Sequence, residues 1–261
     1  EFRESLYDES RLSALETRMA HYLSASAVSA KNLAEEKDAI KTLIGDISHQ
    51  TKTPIANLLL YAQLLEEQDL PPESREYVSA LEHQAEKLRF LIDALVKTSR
   101  LESGVLAMTP KRHGIQQLLD AASAQAAPGA EAKAITLTVE PTDLTARFDP
   151  KWTAEALYNL VDNAVKYTPA GGAVTLRAVG YELFCRVDVT DTGPGIPESE
   201  QARIFQRFYR SPSASEAEGV GIGLYLARQI AAGQGGYLKV SSRPGEGSTF
   251  SLFLPRAEER T

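Results

Sequence analysis

Up to about Gly104 the chain carries only helical periodicity, and beyond it short β-branched runs alternate with helical stretches. That change of character calls for two units built on different principles. In the first, Ile40, Leu43, Ile44, Ile47, Leu58, Leu59, Ala62 and Leu65 recur at the spacing of one helix face and predict a long helix. The segment DLPPES, Asp69 to Ser74, breaks it. A second helix follows with Tyr77, Leu81, Leu88, Leu91 and Leu95 close to a heptad, stopping near Glu102-Ser103-Gly104, where Gly suits the C′ position. Two one-sided apolar stripes cannot cover each other fully. A second copy of the hairpin would complete a four-helix bundle, so a homodimer is expected. Upstream, Leu12, Leu15, Met19 and Leu23 give a looser helical pattern padded with Ser and Ala, read as a helical linker over residues 1–34.

The second unit reads as α+β. Expected strands are Val105–Met108, Ile135–Val139, Ala146–Phe148, Val174–Val179, Phe184–Val189, Tyr237–Ser241 and Thr249–Leu254. Expected helices are Gly114–Ala126, Pro150–Lys166 and Gly221–Gly233. Hairpin-like neighbours among the strands favour a mixed sheet with helices on one face over a doubly wound parallel fold. The fold class is thus multidomain, α followed by an α/β sandwich. The units are residues 35–104 and 105–256, with a tail at 257–261.

Composition narrows function by exclusion. Lys plus Arg (28) against Asp plus Glu (35) leaves a net charge of −7 with no basic run, which argues against a nucleic-acid or anionic-membrane partner. The single cysteine, Cys185, lies in the apolar run LFCRVDV and reads as a buried, inert thiol. No apolar stretch has the length of a membrane span. The chain opens EFRES without an initiator Met and reads as the cytoplasmic piece of something longer, with a sensor or membrane region expected upstream.

Of four histidines, His49 stands out. It lies nine positions from both Ile40 and Leu58, about 180° from each on a helix, so it is expected to face water. Thr53 lies one turn on, Lys52 is close by, and Pro54 leaves the Gln50 carbonyl without its donor. An exposed imidazole with a pKa near 6.5 is a competent nucleophile. His21, His83 and His113 are read as ordinary surface residues.

Four segments of the second unit suit one chemistry. NLVDNAVKY places Asn159, Asn163 and Lys166 on one helical face, amides and an ammonium suited to a metal–triphosphate. DTGPGIP puts Asp191 at a strand end, followed by glycines, where a carboxylate can accept from an exocyclic amine. FQRFYR joins aromatic and basic residues. GVGIGL brings glycines to a helix N-terminus, a ready anion site. Each segment alone is also explicable as a turn, a packing contact or a solvated surface.

Taken together, in this order, the segments resemble those of the cytoplasmic core of a bacterial sensor histidine kinase. DISHQTKTP is similar to the family's phospho-acceptor box, and the four later segments to its asparagine, first glycine, phenylalanine and second glycine boxes. The resemblance covers roughly residues 35 to 255. It implies that ATP and Mg²⁺ are the cofactors and that Nε2 of His49 takes the γ-phosphoryl group, which then passes to an aspartate of a response-regulator receiver domain. It implies that Asn163 coordinates Mg²⁺, Asn159 and Lys166 contact phosphates, Tyr167 packs on the nucleotide and Asp191 binds the adenine amino group. Gly193 and Gly195 would admit the base, and Arg207 would reach the γ-phosphate. Arg210 through Glu218 would form a mobile lid ending at Gly219, Gly221 and Gly223, with Leu224 beside them.

Two positions refine this reading. Relatives that hydrolyse ATP place Glu four residues before the metal-binding Asn; here that position is Asn159, which cannot take a proton from water. The commonest acceptor box has an acid after the histidine; here Gln50 can fix the tautomer through its side-chain oxygen but cannot act as a base. Asp46, one turn back, could compensate. Thr53 matches a position that helps orient a water for dephosphorylating the partner, so a bifunctional kinase and phosphatase is expected. The alternatives are a nucleotide-binding scaffold without kinase activity, and an ATPase or serine kinase with the same nucleotide fold.

Overall fold

The computed structural model describes residues 2–102, 108–211 and 220–257, apart from the side chains of 2–12, 30, 33, 37, 41, 44, 48, 49 and 102. A single helix, α1 (Phe2–Glu66), runs through the expected linker and the first long helix without a break. At 1.5 Å per residue it is roughly 100 Å long. It continues through Pro54, and Thr51 Oγ1 donates to the Ile47 carbonyl one turn earlier. The Pro-Pro turn then ends the helix, and α2 (Pro72–Glu102) starts with proline at its first position, where the missing N–H costs nothing.

The hairpin is held by a small core. Ile55 and Leu59 of α1 pack with Ala85 and Ile92 of α2, and Lys52 pairs with Asp93 across the hairpin at 2.9 Å. The expected stripe divides here. Leu59 and Ala62 are buried, but Leu58 (56% exposed), Leu65, Leu81, Leu88 (44% exposed) and Leu95 remain uncovered.

The second unit is a five-stranded mixed sheet, order β2-β4-β5-β7-β6. Its strands are β2 (Thr136–Val139), β4 (Ala173–Gly180), β5 (Phe184–Asp191), β6 (Tyr237–Arg243) and β7 (Gly247–Pro255). Only β2 and β4 are parallel; the other neighbours are antiparallel. A two-stranded ribbon pairs β1 (Lys111–Gly114) with β3 (Thr145–Phe148). Helices α3 (Ile115–Ala132), α4 (Pro150–Tyr167) and α6 (Gly223–Gly233) cover one sheet face. Leu119, Leu157, Leu160, Val161 and Ile230 meet the inward residues Leu176, Val187, Val189, Phe250 and Leu252 there. The short α5 (Glu198–Gln201) and a 3₁₀ turn (Arg203–Phe205) follow the first glycine segment.

Three expectations are corrected, and one strand was not foreseen. Residues 105–107 of the expected strand Val105–Met108 lie outside the described residues, and Met108 is not in a strand; its thioether instead packs over Gly233. The ribbon strand Lys111–Gly114 carries too little apolar alternation to be read from sequence. Helix α3 runs six residues past Ala126, through Pro128-Gly129, because Ala126 and Ala130 are buried against the core and their packing outweighs the bond lost at proline. His113 is also not a plain surface residue: its ring tilts against Phe148 at 5.3 Å, while His21 and His83 are exposed. Cys185 is buried as expected, and burial pushes its thiol up to about 11.

Candidate active site

The residues expected to bind nucleotide are carried by α4, the end of β5 and the start of α6. Helix α4 begins with Asp149 as N-cap, accepting from the Lys151 and Trp152 N–H groups, with Pro150 next. Asp149 also accepts from the Thr109 N–H, and Gln234 at the end of α6 accepts from the Asp149 N–H and the Thr153 hydroxyl. This buried polar network fixes α4 against α6. Burial opposes ionisation of Asp149, but the N–H groups of Thr109, Trp152 and Lys151 together outweigh it and hold the carboxyl below its ordinary value.

Two turns along α4 the Asn159 amide donates to the Glu155 carbonyl at 2.8 Å, which aims its oxygen at α6. A Cβ on Gly223 would sit 2.9 Å from that oxygen, so a larger residue there would push the Asn159 side chain aside. The N-cap residue of α6, Ile222, makes no side-chain cap hydrogen bond, and a helix N-terminus favours negative charge. Asn163 is half-buried, and its amide makes no hydrogen bond among the described residues. Lys166 and Tyr167 close the same helix.

Asp191 ends β5 and is 6% exposed. Its Oδ1 accepts from the Gly193 N–H at 2.8 Å and the Ser248 N–H at 3.2 Å, while Oδ2 has no partner among the described residues. One oxygen is thus pinned and the other left for a donor. Burial raises its carboxyl above the ordinary range, and the two N–H groups pull it part of the way back. A Cβ on Gly193 would meet Asp191 Oδ1 at 2.8 Å and the Tyr167 carbonyl at 3.3 Å. Gly195, at φ +74°, lies so close to the Arg243 carbonyl that any side chain would collide with it.

The aromatic–basic segment joins the second glycine segment. The Phe208 N–H donates to the Gly221 carbonyl at 2.9 Å, and Phe205 packs edge-on against Phe250. Arg207 donates to the Tyr225 hydroxyl at 3.1 Å and lies over its ring. Leu224 packs against the domain core. Gln50, Thr53 and Asp46 are exposed on α1. The side chain of His49, Gly219 and most of the expected lid lie outside the described residues.

The sequence model described as "Histidine kinase-, DNA gyrase B-, and HSP90-like ATPase" matches residues 148–258, and that described as "His Kinase A (phospho-acceptor) domain" matches residues 39–104. The chain belongs to the sensor histidine kinase family. It carries both domains of an ATP-dependent protein-histidine kinase.

Among relatives of this kinase core, the sensor protein DivL of Caulobacter vibrioides is 34% identical over 230 residues, covering 87% of this chain and 29% of that protein. The sensor histidine kinase GacS of Pseudomonas protegens is 30% identical over 242 residues, covering 88% and 26%. The kinase core therefore spans less than a third of these relatives' lengths. The crystal structure of full-length ShkA in complex with AMPPNP matches with a TM-score of 0.70 at 29% identity, covering 84% of this chain and 47% of that one. No helix among the described residues is long and apolar enough to cross a membrane.

Sequence reasoning missed several supports of the site. Ser248 donates to Asp191, and Gly247 makes room beside the Asp191 backbone. The run GEGSTF before an alternating strand was the available signal. Gln234 and Lys133 carried none, because each acts on an element distant in sequence.

Proposed function

We propose that this kinase core autophosphorylates His49 from Mg-ATP and hands the phosphoryl group to an aspartate of a response-regulator receiver domain. The observation that supports the nucleotide half is the packing of both glycine segments on α4: Gly193 lies against the Tyr167 carbonyl and Gly223 against the Asn159 side chain, so the open oxygen of Asp191, the Asn163 amide and the start of α6 all border one helix. They correspond to base, metal and phosphates of one nucleotide.

The Asn163 side-chain oxygen would hold Mg²⁺, a hard cation that favours oxygen ligands. Such an ion would neutralise charge developing on the phosphates. Asn159, Lys166, Arg207 and the glycine segment ending at Gly219, Gly221 and Gly223 hold the triphosphate, while Tyr167, Gly193, Gly195 and Leu224 line the nucleotide. In the transfer Nε2 of His49 bonds to the γ-phosphorus, the bond to the β–γ bridging oxygen breaks, and ADP leaves. Gln50 accepts from Nδ1–H and fixes the tautomer. Asn159 cannot activate water, which disfavours direct hydrolysis.

We assign residues 1–34 to a linker from an upstream sensor, 35–104 to dimerisation and phosphotransfer, and 105–256 to catalysis. The uncovered leucines of the hairpin support a homodimer. Incubation with radiolabelled ATP tests the reading. Wild type is expected to gain an acid-labile, base-stable phosphoryl group and His49→Gln none; label in His49→Gln, or an acid-stable product, would overturn it. Gln50 and Thr53 further support a phosphatase activity on the regulator, which Thr53→Ala is expected to lose. Wild-type dephosphorylation by that variant would refute the role.

A further inference from the structure

Lys133 sits just past the end of α3, far from the nucleotide segments in sequence. Its ammonium donates to the Val165 carbonyl at 2.9 Å, the Lys166 carbonyl at 2.8 Å and the Thr168 carbonyl at 2.7 Å. All three of its protons are used, and the accepting carbonyls lie at the C-terminus of α4, where the helix has no partners of its own for them. Thr168 completes the cap: its N–H and hydroxyl both donate to the Ala164 carbonyl. The Tyr167 carbonyl faces Gly193 of the first glycine segment instead. Lys133 is itself anchored, its N–H donating to the Ala130 carbonyl and its own carbonyl accepting from the Gly171 N–H at 3.1 Å.

The last turn of α4 carries Lys166 and Tyr167 and abuts the loop after Asp191. Without the ammonium, three carbonyls at that turn lose their donors, and the turn can fray. We infer that Lys133 is a positioning residue for nucleotide binding: by holding the end of α4 it sets Lys166 and Tyr167 in register with Gly193 and Asp191. A positive charge at a helix C-terminus is also favourable in its own right. The inference rests on the nucleotide reading proposed above.

The test is titration of the dimeric protein with a fluorescent ATP analogue, alongside thermal melts, for wild type, Lys133→Met and Lys133→Arg. Affinity is measured at a temperature where every variant is fully folded. Lys133→Met is expected to bind about tenfold more weakly, with Lys133→Arg recovering part of the loss because a guanidinium can still donate to several carbonyls. At saturating ATP the phosphorylation rate of Lys133→Met should stay near wild type, so that KM moves and kcat does not. A Lys133→Met protein that melts earlier but binds normally while folded would show a purely structural role and overturn the inference. Should Lys133→Met not fold, Lys133→Gln is titrated in its place, with the same outcomes. Failure of wild type to bind the analogue would instead bring down the nucleotide reading, and this inference with it.

Discussion

Asp191 shows how one residue divides its work between fold and ligand. Its Oδ1 is committed to two backbone N–H groups, and its Oδ2, without a partner among the described residues, is the oxygen proposed to meet the nucleotide. In Asp191→Asn the amide oxygen can keep both backbone bonds, but an NH₂ then faces the adenine amine. We expect the variant to fold and to lose about 1.5–3 kcal/mol of ATP binding, roughly ten- to a hundredfold in Kd. Because burial raises the Asp191 pKa, its carboxylate destabilises the folded state. A carboxyl with a raised folded pKa contributes stability below its unfolded pKa and loses it as pH rises through the folded one. The variant should therefore melt slightly higher than wild type near neutrality while binding ATP less well, and a melting temperature that fell with affinity would contradict this. By the same logic, wild-type affinity should weaken as the pH drops toward the raised pKa. The acid at a strand end followed by glycines was legible in the sequence; the second N–H, from Ser248, was not, because it arrives across 57 residues of chain.

At the scale of elements, helix α4 decides where the site is. Its N-terminus is fixed by Asp149 and Gln234, its C-terminus by Lys133, and the amides of Asn159 and Asn163 lie between. Asp149→Ala removes an N-cap and strands the Thr109 N–H, and should cost about 2–3 kcal/mol of stability. The pH dependence has a definite sign. The folded pKa of Asp149 is lowered, so its contribution is present above the unfolded pKa and fades as pH falls through the folded one. Chemical denaturation of wild type and variant across that range should show the gap closing in acid; a gap independent of pH would rule the explanation out. The sequence places this helix at Pro150–Lys166, one residue short of its observed end at Tyr167. It misplaced the end of α3, because Pro128-Gly129 reads locally as a stop while burial of Ala126 and Ala130 keeps the helix going.

Across the whole molecule the two units are bolted differently. The catalytic domain has a continuous core, whereas the hairpin buries only a few side chains and leaves Leu58, Leu81 and Leu88 uncovered. Lys97 of α2 reaches Glu155 of α4 at 2.5 Å, tying the hairpin to the helix that carries Asn159. Both partners are partly exposed, so this tie is weak, no more than about 1 kcal/mol. Leu101 at the end of α2 adds apolar contact, packing against the core of the second unit. The dimer should depend on the uncovered leucines. Leu58→Glu combined with Leu88→Glu is expected to give monomers by light scattering, with nucleotide binding retained in the independent second domain. A dimer that survived both changes would place the interface elsewhere.

The sequence alone determined the helical hairpin and the mixed sheet with helices on one face, because these are written in local periodicity and turn chemistry. It also singled out His49 by position on a helix, and Gln50 by its departure from the resembled acceptor box. Only the tertiary structure decided which half of the apolar stripe the hairpin buries, which oxygen of Asp191 is left open, and that Lys133, Gln234 and Ser248 hold the site. Hydrogen bonds between elements distant in sequence leave no period or motif in the chain, and they exist only once the sheet and its helices have brought donor and acceptor within 3 Å or so of each other.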